Sequence, residues 1–129
     1  MYAISLAESR TSGEIRVCIE KNCPEDAMKE ATKRFHELDM HKTNLKNGVL
    51  IYLATADRKF AIIGDEGINK KVPKDFWEDT KTLMIEHFQK EEFAEGLMAG
   101  IEQAGKQLKT FFPRSDDDIN ELPDEIVYF

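Results

Sequence analysis

The most constraining feature of the chain is an uninterrupted apolar run, Val49-Leu50-Ile51-Tyr52-Leu53-Ala54. It is too short for a typical helix, rich in strand formers, and preceded by the turn signal Asn47-Gly48. A strand without polar alternation must be covered on both faces. That requirement excludes a one-sided sheet and calls for helices above and below.

The flanking segments supply them. Residues 2–10 read as the last turns of a helix ended at Thr11-Ser12-Gly13. Glu14 to Glu20 alternates, with Ile15, Val17 and Ile19 on one side and Arg16, Cys18 and Glu20 on the other, which predicts a half-buried strand. Cys23-Pro24-Glu25-Asp26 opens a helix, with proline at its first position and acids where the dipole favours them. Its buried stripe is Ala27, Met28, Ala31, Phe35 and Leu38.

Past the apolar run, Thr55-Ala56-Asp57-Arg58 is a turn, and Lys59 to Ile63 returns antiparallel as a hairpin broken at Gly64-Asp65-Glu66-Gly67. Pro73 starts a helix with Phe76, Trp77, Leu83, Met84, His87 and Phe88 as its apolar positions. A last helix spans about residues 92–112, with Phe93, Leu97, Ile101, Ala104 and Leu108 on one stripe. Gly96, Gly100 and Gly105 lie near that stripe; each costs about 1 kcal/mol of helix propensity, so close helix packing must offset it. Pro113 stops the helix.

The first two strands should run parallel through a right-handed crossover. The predicted fold is an α/β/α sandwich, three layers around a small mixed sheet. Residues 1–112 form the domain and residues 113–129 an acidic tail, whose Ile126-Val127-Tyr128-Phe129 is suited to an edge strand or to docking on a groove.

Charge narrows the partners. The net charge is −7, and residues 113–129 hold six acids against one Arg, leaving the body nearly neutral. No basic surface is available for a phosphate backbone, so nucleic acid is not expected as a partner. No apolar run approaches the roughly 20 residues of a membrane helix, and no signal peptide is visible. Cys18 and Cys23 match no zinc spacing, so reduced thiols and a cytoplasmic location are expected, with an incomplete N-terminus kept open because the pattern begins inside a helix. His87 is expected as a packed imidazole, and His36 and His41 as solvated.

Enzyme motifs such as G-x-S-x-G, a P-loop or H-E-x-x-H are missing. Acidic residues are the remaining chemical material, and topology sorts them. The third strand returns to the start of the other two, which places Asp65 and Glu66 on the edge shared with Glu14 and Asn47-Gly48. A short link keeps Asp75 and Asp79, four apart and on one helix face, close to that edge. Asp57 and Arg58 fall on the opposite edge, because a strand of about six residues spans roughly 20 Å. Such carboxylates repel one another unless a cation joins them; hard oxygen donors suit Ca²⁺ or Mg²⁺. Acidic loop edges are also commonly just solvated, and Asp57-Arg58 reads equally as a turn with a surface ion pair.

The same residues carry a family likeness. Thr11-Ser12-Gly13-Glu14-Ile15-Arg16-Val17, Lys46-Asn47-Gly48-Val49-Leu50-Ile51, Asp57-Arg58-Lys59, Gly64-Asp65-Glu66-Gly67-Ile68 and Phe93-Ala94-Glu95-Gly96-Leu97-Met98-Ala99-Gly100 occur in an order and spacing that resemble the TPM-domain family. The likeness covers about residues 3–112. It implies an α/β/α sandwich with a divalent-ion site, commonly calcium, in an acidic cleft formed by loops. It carries a metal role onto Asp65, Glu66, Glu14 and Asp75, with Asp57, Arg58 and Asp79 as separate, weaker candidates. Acid phosphatase activity has been attributed to a plant lumenal member, while other members resemble assembly, repair or receptor-modulating modules. Three functions stand open: a divalent-cation-binding module with a protein partner, a metal-dependent phosphatase acting on phosphomonoesters, or a purely structural domain whose acidic tail binds a basic partner.

Overall fold

The fold was analysed in a computed structural model, which describes residues 14–23, 25–42 and 46–111 together with the backbone of 126–128. The helix expected over residues 2–10 and the acidic stretch before Ile126 lie outside the described residues. A four-stranded mixed sheet has the order β3-β2-β1-β4, made of β1 (Glu14–Glu20), β2 (Gly48–Ala54), β3 (Lys59–Gly64) and β4 (Ile126–Tyr128). β1 pairs in parallel with both β2 and β4, and β3 runs antiparallel to β2 with Val49 opposite Gly64. Ile126–Tyr128 thus supplies an edge strand.

Every residue of β2 is buried, as its apolar run requires. Alternation divides the core into two clusters. Ile15, Val17, Val49, Ile51, Leu53 and Ile62 pack with Met84, Leu97, Ile101 and Leu108, which belong to helices α3 (Glu78–Gln89) and α4 (Phe93–Phe111). Cys18, Leu50, Tyr52, Ala54 and Ala61 pack with Ala31 and Phe35 of helix α1 (Ala27–Glu37). Helices therefore cover both faces of the sheet, giving three layers. The second face of β1 is not left to solvent, since Cys18 is fully buried there.

Three boundaries differ from expectation. α1 begins at Ala27, with Asp26 as its N-cap, rather than at the Cys23-Pro24 pair. Its Met28 points outward, 42% exposed, whereas Glu30 is buried. The reason is a charge network: Arg34 reaches Glu30 at 3.3 Å, Glu37 at 2.7 Å and, on β1, Glu20 at 3.0 Å. Tyr52 Oη donates to the other Glu20 oxygen, so this polar group is satisfied from two layers.

A short helix, α2 (Glu66–Lys71), occupies what the sequence suggested was a plain break. Asp65 caps it by accepting a hydrogen bond from the Glu66 amide, and Lys70 and Lys71 sit in its last turn, where the dipole favours cations. The next helix starts at Glu78, so residues 73–77 form turns and Asp75 shares no helix with Asp79.

The glycine stripe of α4 does what its cost demanded. A Cβ on Gly96 would lie 2.5 Å from the Phe88 ring, and one on Gly100 would lie 2.5 Å from the Met84 sulfur. Gln107 joins the helix layer to the preceding turn, donating to the Phe76 carbonyl at 2.7 Å while its oxygen meets Thr80 at 2.5 Å.

Candidate functional site

The sheet has two chemically distinct edges. At the amino ends of β1 and β2, the Glu14 amide donates to the Asn47 carbonyl at 3.1 Å, and the Asp65 amide donates to the Gly48 carbonyl at 3.0 Å. Glu14 and Asp65 therefore flank Gly48 from neighbouring strands, as the hairpin's return path predicts. With strands about 4.8 Å apart, their backbones stand roughly 10 Å from each other. Glu14 is buried, 5% exposed. Asp65 uses Oδ1 to cap α2 at 2.8 Å, while its Oδ2 is buried and has no hydrogen-bond partner among the described residues. Buried carboxylate oxygens normally find donors, so this one marks a place where something positive is wanted.

The other acids expected here are dispersed. Glu66 is exposed at the first position of α2. Asp75 is exposed in the turn before α3, and Asp79 is exposed on α3 itself. α2 has been inserted between them and Asp65; six helical residues add about 9 Å of path. Among the described residues, no group of three or more His, Cys, Asp and Glu is arranged to hold a metal ion. The two flanking groups, Glu14 and Asp65, offer oxygen only, which suits a hard cation.

At the carboxyl ends of β1 and β2 the polar groups satisfy one another. Asp57 Oδ2 accepts from the Cys23 amide at 2.6 Å. Lys59 Nζ donates to the carbonyls of Cys23 at 2.9 Å and Glu25 at 3.1 Å. The amides of Thr55 and Ala56 donate to the carbonyls of Glu20 and Lys21. Arg58 pairs with Glu91 of the α3–α4 turn at 2.5 Å. A crevice opens beyond these strand ends. Glu25, Asp26, Ala27, Arg58, Lys59 and Phe60 line that crevice.

Sequence reading placed Asp57 and Arg58 on this edge but did not see the crevice. Its making depends on contacts between residues more than 30 positions apart, for which the only local sign was a charged pair in a four-residue turn.

Both thiols are reduced and buried. Burial, reinforced by the charge of nearby Glu20, pushes the Cys18 thiol up to about 12. Burial and the hydrogen bond to Glu20 likewise drive the Tyr52 hydroxyl upward. Neither group is a nucleophile near neutral pH. His87 is half-buried, with Nδ1 3.1 Å from Glu92. His36 is exposed, and the half-buried His41 ring packs against it, centroids 4.7 Å apart.

Comparison with known proteins agrees with this architecture. The TPM domain pattern matches residues 2–107. Among solved structures, the chain is similar to the BA42 protein from the psychrophilic bacterium Bizionia argentinensis, at 47% identity and a TM-score of 0.94, covering 99% of this chain and 88% of that one. It shares its fold with the N-terminal domain of a P. gingivalis protein at 20% identity and TM-score 0.69, covering 86% of this chain and 72% of that chain. It also shares its fold with the N-terminal domain of the cg2496 protein from Corynebacterium glutamicum at 14% identity and TM-score 0.65, covering 96% and 74% respectively. No curated protein matches the sequence. No described helix is long and apolar enough to cross a membrane.

Proposed function

This chain belongs to the TPM-domain family, and on that premise we propose that it is a divalent-cation-binding module acting in protein interaction or assembly, with Ca²⁺ or Mg²⁺ taken at the amino edge of the sheet. One observation carries the reading: Asp65 Oδ2 is buried without a hydrogen-bond partner among the described residues, across Gly48 from the buried Glu14. A hard cation neutralises both groups. Glu66, the exposed neighbour of Asp65 in the chain, is the further side chain that would join the shell together with water. The ion would thereby fix the relation between the start of β1, the end of β3 and α2, and so the shape of the surface those segments present.

A calcium titration tests this. Amide signals should move chiefly at residues 14, 64–69 and 73–79, and the melting temperature should rise. Asp65→Asn should abolish both responses. Shifts confined to residues 113–125 would instead mean loose binding along the acidic tail and would overturn the assignment. The same variant, assayed against a phosphomonoester, separates binding from hydrolysis: turnover that disappears with the substitution would give the ion a catalytic role.

A further inference from the structure

A second, narrower cavity of about 170 Å³ adjoins the carboxyl-edge crevice, lined by Arg58, Phe60, Ile85, Phe88 and Gln89. Small-molecule pockets usually enclose about 300–1,000 Å³, so this space suits a single side chain. Its floor is apolar: Phe60 and Phe88 meet edge-to-face with centroids 5.3 Å apart, and Ile85 is 41% exposed. Among the described residues, Arg58 is its one charged lining residue. Asp57, next to Arg58, has its carboxylate committed to the Cys23 amide, and Glu25 and Asp26 line only the wider crevice.

Four described non-glycine residues have positive φ, Asp39, Lys46, Arg58 and Glu91, and two of them meet at this cavity. Arg58 has φ 54° and Glu91 has φ 59°, both in the left-handed region. Their turns would be better served there by glycine or asparagine. Left-handed side-chain-bearing residues concentrate at ligand clamps, where the side chain is needed despite the strain. These two residues face each other as an ion pair of which both members are largely exposed, 66% and 64%. Such a pair is screened by water and readily exchanged for another carboxylate.

We propose that this cavity receives the C-terminal residue of a partner polypeptide. The apolar side chain enters between Phe60, Ile85 and Phe88, and the terminal carboxylate displaces Glu91 from the Arg58 guanidinium. A chain terminus carries both groups on one residue, matching a one-side-chain cavity with one guanidinium at its mouth. The assignment uses none of the groups proposed to bind the cation.

The test is an NMR titration in EDTA with acetyl-Gly-Gly-Leu as the free acid and as the amide. The acid should shift Phe60, Ile85, Phe88 and Gln89 saturably. Amidation, or Arg58→Gln, should weaken binding about two- to fivefold, the range of an exposed ion pair. Glu91→Gln should tighten binding by up to about fivefold, because it removes a competitor held by a surface pair. A residue that merely supported Arg58 would do the opposite. No saturable shift at these residues, equal binding of acid and amide, or weaker binding by Glu91→Gln would each overturn the proposal. So would preference for an amidated peptide carrying an internal Asp beside Leu. Because the titration runs without divalent ions, its failure leaves the cation reading standing, and the reverse also holds.

Discussion

The two ends of the sheet place acids beside a turn and a helix cap in similar ways, yet they resolve charge differently. At the carboxyl end, Asp57 has the Cys23 amide and Lys59 has two loop carbonyls, so the chain provides its own counter-groups. At the amino end, Asp65 spends one oxygen on α2 and keeps the other buried without a donor among the described residues. A carboxylate is structural where the fold brings it a donor, and becomes a candidate ligand where it does not. Number of acids is no guide to which is which.

That contrast can be broken by experiment. Calcium at about a hundred times its dissociation constant should add about 2.7 kcal/mol to wild-type stability. The gain should vanish in Asp65→Asn and persist in Asp57→Asn, read from denaturant melts. Reversal of the two variants would move the ion to the carboxyl end. Next in size, Asp57→Ala should cost about 1.5 kcal/mol without any ion present, because the Cys23 amide loses a charged acceptor. Smaller still, Asp65→Asn in EDTA should change stability by no more than about 0.5 kcal/mol, or raise it, since Asn keeps the cap acceptor and removes a charge. A large loss there would show that Oδ2 is satisfied in the apo protein.

A further effect, confined to alkaline pH, concerns the α1 face. Cys18 is raised from 9.0 to about 12, so the folded state holds its proton where the unfolded state has released it. Its contribution is present below pH 9 and falls away as pH climbs from 9 to 12. Cys18→Ala should flatten that part of an alkaline stability curve, while Tyr52, also shifted upward, keeps a residual slope above pH 10.

Much of the fold is legible in the sequence because burial writes itself locally. The run at 49–54 demanded two covered faces, and the α4 stripe with its glycines announced a close helix neighbour at Met84 and Phe88. Other features resisted. α2 is only six residues long with Gly67 inside it, so its cap at Asp65 looked like loop chemistry. Met28 and Glu30 exchanged their expected faces because Arg34 recruits Glu30 to Glu20, a partnership set by β1 and invisible within the helix. The candidate sites divide in the same way. Topology alone placed Glu14 and Asp65 on one edge and Asp57 on the other. Whether each oxygen has a donor depends on side-chain directions that no spacing reveals.

The fourth strand sets a condition on biosynthesis. Val17 pairs with Ile126, so its ladder partner lies 109 residues later in the chain (126 − 17). A ribosome that has completed β1, β2 and all the helices of the domain still holds a nascent chain with one flank of its first strand unpaired. Closing so long a loop is slow, and an open ladder edge invites pairing with a neighbouring chain. Until β4 docks, the flank of β1 that it covers is therefore an edge open to pairing with a neighbouring chain.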